Sequence, residues 1–202
     1  MNSNQSSLPG HPVLHSSLLS LFRTANHLKS LPRTGWLFAG VAQPESLADH
    51  TCLVALYALF LAEAINENPA AQRLKHPLNV ERVVSLALIH DLAESVLTDL
   101  PKRSTEALGA EAKHRAEEQI VVDLLAQIPS GKRYVALWRE YDAASTPEAR
   151  LVKDVDKLEM VMQSVRYAER GHTNMHEFRT GHAWHYPISQ TLFEQLSDGL
   201  SE

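Results

Sequence analysis

VERVVSLALIHDLAES, residues 80–95, repeats its apolar residues at three- and four-residue spacing instead of alternating them, which predicts a helix. Asn79 and Glu81 supply its start signals, and Pro101 in TDLPK sets the limit beyond which it cannot run. A segment this apolar belongs at the centre of a fold. Within it stand His90 and Asp91, whose burial costs desolvation energy unless something pairs with them. Glu94 follows four residues after His90 and three after Asp91, so on a continuous helix the three side chains share one flank. A hydrogen-bonded core histidine beside a polar-face aspartate is the simpler reading of such a dipeptide on its own.

The neighbouring segments carry the same period. From Pro44, with Ser46 as cap, Leu47, Val54, Tyr57, Ala58 and Leu61 predict a long helix reaching Asn66 and Pro69. Its middle, TCLVALYALFLAEAI, is apolar on nearly all sides, so this helix too is central. Upstream, Leu18, Leu19, Phe22, Ala25 and Leu28 mark an amphipathic helix that stops at Pro32 in LPRTGW, with a loop after it. Downstream, residues 105–128 are charged on one face and apolar on the other, and Pro129 to Gly131 break the pattern. A shorter helix over 134–141 follows. Thr146-Pro147-Glu148 then opens a helix, EARLVKDVDKLEMVMQSVRYAERG, that ends at Gly171. A last amphipathic helix covers 188–196. The expectation is an all-α chain: a flexible segment over residues 1–15 and one compact helical domain over 16–202.

Composition bounds the function. The chain has 202 residues, enough to bury about 70% of its unfolded surface without a disulfide or metal staple. Lys+Arg 19 against Asp+Glu 24 gives a net charge of −5, and with a pI near 6.1 this argues against a nucleic-acid polymer as partner. One cysteine, Cys52, excludes an internal disulfide, and with no secretory leader the expected location is cytoplasmic. No apolar run approaches the ~20 residues of a membrane span, so no membrane is expected. Histidine is plentiful at 11.

Two more ionisable residues stand in apolar settings. His50 lies near the start of the second helix, and Asp156 sits among Leu151, Val152, Val155 and Leu158. Each has a plainer alternative: capping for His50, and an ion pair with Lys153 or Lys157 on a solvated face for Asp156. Yet all three core-like helices carry such a group, and buried ionisable groups persist by pairing with each other or with a metal. Two imidazoles and two carboxylates form a mixed nitrogen and oxygen set for one divalent ion: Mn, Co, Mg, Fe, Ni or Zn. Four ligands on an ion that prefers six leave room for water and substrate. His172, His176, His182 and His185 lack a regular helical frame and read as loop or contact residues.

The ordered motifs PRTGW (32–36), PESLADH (44–50), HDLAES with DLP (90–101), EEQI (117–120), WREY (138–141) and LVKDVDKLEM (151–160) resemble the HD-domain metal-dependent phosphohydrolases. Within that superfamily the chain is most similar to the 5′-deoxynucleotidases and the HD domain-containing protein 2 group. The resemblance implies a helical HD domain, a homodimer, and one divalent ion per subunit on His50, His90, Asp91 and Asp156, with Asp156 preferred over Asp154. It implies a nucleotide substrate whose 5′-phosphate is released by attack of metal-bound water. Glu94 and Asp99 would handle the proton and sugar, while Trp36 and Arg33 would bind substrate. Lys102 and Arg103 are further basic candidates. The chain departs from the pattern at Gly35, where bacterial members place an Arg before the Trp, and at Thr98, where a Gly often precedes the DLP aspartate. Within the same chemistry the alternative substrate is a nucleoside triphosphate; outside it, the chain would be a non-catalytic interaction protein with a vestigial metal site. Only His114 lies between Asp91 and Asp156 as a further histidine, which favours one metal over the two of di-iron relatives.

Overall fold

The computed structural model describes residues 12–126 and 128–198. Its helices in chain order are α1 (Pro12–Ala25), α2 (Thr34–Phe38), α3 (Leu47–Glu67), α4 (Val80–Ile89), α5 (Glu94–Leu97), α6 (Lys102–Leu108), α7 (Ala110–Leu125), α8 (Gly131–Asp142), α9 (Pro147–Glu169) and α10 (Pro187–Asp198). Short 3-10 turns follow α1 and α3 and precede α10, and no strand occurs among the described residues. The fold is all-α, as the periodicity predicts.

The expected starts hold in detail. Ser46 and Asp49 cap α3 reciprocally, at 2.9 and 3.1 Å. Asn79 accepts the Arg82 amide on α4, and Thr146 accepts the Ala149 amide on α9. α3, α4 and α9 pack on one another around Val54, Ala58, Ile65, Val83, Leu86, Val152 and Val155, all fully buried. Each Val, Leu or Ile among them contributes about 1.5–3 kcal/mol by leaving water. α8 and α10 close this core from the sides. By length and mean hydropathy α3 is apolar enough to cross a membrane, contrary to the expectation from the sequence. Packing against α4 and α9 accounts for part of that character, while Leu56 and Phe60 stay exposed.

Elsewhere the boundaries move. The helix expected over residues 80–95 stops at Ile89, turns through 90–93, and resumes as α5. α2 begins inside PRTGW, at Thr34, where a loop is expected after Pro32. The helix expected over 105–128 is two, α6 and α7, parted at Gly109 with φ +89°. α8 begins at Gly131, where a Cβ would lie 1.9 Å from the Leu125 carbonyl oxygen, so only glycine permits this approach. α1 begins at Pro12, upstream of the first residue of the apolar pattern; residues 1–11, most of the segment expected to be flexible, lie outside the described residues.

Candidate metal centre

His50 leaves the first turn of α3, His90 and Asp91 the turn that ends α4, and Asp156 the middle of α9. The turn at His90 is a tightening of the backbone. Leu92, Glu94 and Ser95 donate to carbonyls three residues back, and the His90 imidazole Nδ1 bonds the Ala87 carbonyl at 2.7 Å. The His90 carbonyl is taken instead by the Trp138 indole N–H from α8, at 3.2 Å. Asp91 and Glu94 are thereby swung off the helical track and into the site.

The four side chains converge. His90 Nε2 lies 3.1 Å from Asp91 Oδ2; His50 Nε2 lies 3.6 Å from the same oxygen and 3.2 Å from Asp156 Oδ1. His50, His90 and Asp91 form a group whose ligand atoms lie within 4.8 Å of one another. A carbonyl can only accept, so Nδ1 of His90 carries the proton and Nε2 presents a lone pair. His50 is held the same way, its Nδ1 2.6 Å from Glu159 Oε2, with Glu159 1% exposed. His50 Nε2, His90 Nε2 and Asp91 Oδ2 are buried and without a hydrogen-bond partner. Lone pairs facing carboxylates require positive charge between them, so these residues fit a divalent cation and the donor set expected of it.

The electrostatics agree. Burial and Arg33 pull the His50 pKa down, but Asp156 and Glu159 outweigh them and push it up to about 10. A field that holds a proton there also favours a metal ion, and the two compete for one nitrogen. Burial raises Asp91 and Asp156, yet the imidazoles and Arg33 more than offset it and hold both well below the usual carboxylate range. Glu94 goes the other way: burial, with Asp91 and Asp99 adding, pushes its carboxyl well above the ordinary value. Its Oε2 is buried without a partner.

Beside the centre opens a cavity of about 560 Å³, lined among others by Arg33, Asp91, Glu94, Asp99 and Asp156. Arg33 arrives because its segment is pinned to the start of α3: its amide bonds the Glu45 carbonyl at 3.0 Å, and Pro32 bridges Ser46. Its guanidinium stands 3.7 Å from Asp91. Asp99 Oδ2 accepts from the Thr34 amide at 2.6 Å and its hydroxyl at 3.0 Å, capping α2 beside Arg33. Trp36 is 2% exposed, packed at 4.1 Å between centroids on Phe178, with its N–H on Glu45 at 2.9 Å. It is packed in the core and also lines, with Arg33 and Asp99, a second cavity. Lys102 lines this second cavity, of about 390 Å³, and Arg103 lies over the Phe38 ring, so neither lines the cavity at the metal centre. Asp154 is buried at 0% exposure on the His185 and Tyr186 amides and plays no part in the centre. The C-terminal histidines form no ligand group among the described residues.

Several contributors escaped the sequence reading. Glu159 had a signal, since it follows Asp156 by three and shares its flank. Trp138 and Tyr141 lie within WREY, and the Tyr141 hydroxyl donates to Asp156 Oδ2 at 3.0 Å. Lys113, Glu117 and Lys153 line the cavity from α7 and α9; nothing local in the sequence separates them from a solvated face.

Comparison with known proteins agrees with this geometry. The HD domain model matches residues 25–197. The chain is 34% identical over 158 residues, 77% of its length and 71% of the relative's, to human 5′-deoxynucleotidase HDDC2. It is 35% identical to the Schizosaccharomyces pombe 5′-deoxynucleotidase hdd1, over 76% of this chain and 74% of that one. A conserved hypothetical protein from Pyrococcus furiosus superposes with a TM-score of 0.73 at 34% identity, covering 91% of this chain and 99% of that one. On this match and this convergence of ligands, the chain belongs to the HD domain family.

Proposed function

We propose that this protein is a metal-dependent phosphohydrolase that releases phosphate from (deoxy)nucleoside 5′-monophosphates. The observation that carries the reading is the convergence of two buried imidazole nitrogens and two carboxylates on an open cavity, with the buried carboxyl of Glu94 beside them. The relatives named 5′-deoxynucleotidases direct it to this substrate class. A bound divalent ion supplies Lewis acidity toward the phosphoryl group and lowers the pKa of water. Arg33 pairs with a phosphoryl oxygen, its planar guanidinium suiting two parallel hydrogen bonds. Glu94, whose carboxyl is pushed above its ordinary pKa by burial and by Asp91, is placed to deliver a proton to the leaving 5′-oxygen. Asp99 orients α2, and with it Arg33, through its bonds to Thr34.

The test is phosphate release from a panel of nucleoside 5′-mono- and triphosphates with Mn²⁺, Co²⁺ or Mg²⁺, beside Asp91→Ala. Metal-dependent release that the variant loses supports the reading. Absence of release from every nucleotide overturns it in favour of a non-catalytic protein, and preference for triphosphates shifts the substrate. A homodimer is the assembly we propose with this activity. The apolar groove between α3, α9 and α10, with Phe60 64% exposed at its edge, offers a face for it, and equilibrium sedimentation decides.

A further inference from the structure

Lys153 precedes Asp156 by three residues on α9, so the two side chains leave the same flank of the helix. Its ammonium stands 3.7 Å from the centroid of the Tyr141 ring, and the hydroxyl of that ring donates to Asp156 Oδ2 at 3.0 Å. Tyr141 is therefore a plate with the lysine on its face and a metal-site carboxylate at its edge. Other cations around the site are each matched to an acid: Arg33 with Asp91 at 3.7 Å, Lys113 with Glu117 at 3.3 Å, Lys157 with Asp154 at 3.2 Å. Among the described residues Lys153 has no such ion pair, although it is partly buried and lines the same cavity. Burial lowers its pKa in spite of the surrounding carboxylates, a further sign that its charge is poorly matched.

A charge partly removed from water with only a ring face to offset it is poorly matched, and is retained where a ligand completes it. The need exists here: Asp91, Asp99 and Asp156 line the cavity, and a phosphate approaching it meets their repulsion. We propose that Lys153 is a substrate-anchoring residue, its ammonium taking a phosphoryl oxygen on the Asp156 side of the metal centre as Arg33 does on the Asp91 side. The assignment rests on the phosphohydrolase reading. Its competitor is a lysine that merely balances the carboxylate charge.

The experiment titrates inorganic phosphate into Mn²⁺-loaded parent, K153M and K153R by calorimetry. Mn²⁺ affinity is measured by chelator competition, folding by circular dichroism, and KM and kcat on a deoxynucleoside 5′-monophosphate. An anchor predicts that K153M weakens phosphate binding by about 10- to 100-fold, the worth of one charge-assisted hydrogen bond, with Mn²⁺ affinity nearly unchanged and the loss appearing largely in KM. K153R restores part of it. Phosphate affinity unchanged in K153M overturns the assignment, and tighter Mn²⁺ with unchanged phosphate establishes the charge-balancing role instead. Parallel loss of Mn²⁺ and phosphate in both variants also overturns it. A parent that binds phosphate in a Lys153-dependent way but hydrolyses no nucleotide sinks the phosphohydrolase reading and leaves the anchor standing.

Discussion

His50 is held at one nitrogen, Nδ1, and what holds it is Glu159 rather than a backbone carbonyl. A carboxylate on Nδ1 fixes the tautomer, aims Nε2 and strengthens it as a ligand, so Glu159→Gln is expected to weaken Mn²⁺ or Co²⁺ binding by about 10- to 100-fold. The fold should persist, because Gln fills the same space; chelator competition and the visible spectrum of the Co²⁺ form read the change. Glu94 governs the pH profile. Burial beside Asp91 and Asp99 raises its pKa, so with the acid form as donor kcat falls as pH climbs through that raised value. Glu94→Gln should cost about 10²- to 10⁴-fold in kcat and remove this alkaline limb. A further acid reports on stability. Burial, then Glu159, push Glu45 from 4.5 up to about 7. Between those values the folded state holds the extra proton, so parent stability declines as pH rises through the window. Glu45→Gln keeps an acceptor for the Trp36 N–H, and its stability relative to parent should improve by about 2 kcal/mol from pH 5 to pH 8 in urea titrations.

At the scale of elements, the link between α5 and α6 is strained at one point. Thr98 has φ +68° and ψ 167°, a region that is nearly the preserve of glycine and costs about 1–3 kcal/mol for other residues. That strain gives a physical reason for the glycine found there in resembling sequences. Thr98→Gly relieves it and gives back about 0.5–1 kcal/mol in unfolded-chain entropy, for a net gain near 1 kcal/mol and a rise of about 2–4 °C in Tm by calorimetry. Which elements were legible follows from the same physics. α3, α4 and α9 announce themselves through period and caps, because their partners are an apolar core that any correctly spaced side chain satisfies. The break at His90 does not: the apolar run continues through Leu92 and Ala93 without Gly or Pro, and the interruption depends on Trp138, 48 residues away. α2 likewise has its cap in Asp99, 65 residues downstream. The four candidate ligands stood out because each is an ionisable residue set among apolar ones, with the resemblance choosing Asp156 over Asp154. Lys153 and Lys113 were not, since a lysine beside a cavity and a lysine beside water share one local pattern.

Over the whole molecule, the metal centre ties together three segments distant in sequence, so ion binding and folding are linked. An ion present at a hundredfold its Kd stabilises the native state by about 2.7 kcal/mol, a shift of several degrees in Tm that EDTA should reverse. The net charge of −5 does nothing to draw in an anionic substrate, so the ion, Arg33 and Lys153 must do it locally. Two aspartates on α9 separate the roles of ligand and brace. Asp156 faces the centre, whereas Asp154 accepts the His185 and Tyr186 amides at 2.9 and 3.0 Å and fastens the connection to α10 onto α9. Asp156→Asn should lose the ion-dependent rise in Tm while leaving the ion-free Tm near that of the parent or above it, because a repelling carboxylate is gone. Asp154→Asn leaves one buried amide poorly matched, so it should lower Tm with and without ion by an amount worth about 1–3 kcal/mol and keep the ion-dependent rise. Thermal melts of the two variants with Mn²⁺ and with EDTA decide it, and an ion-dependent rise that survives Asp156→Asn but vanishes in Asp154→Asn would reverse the assignment.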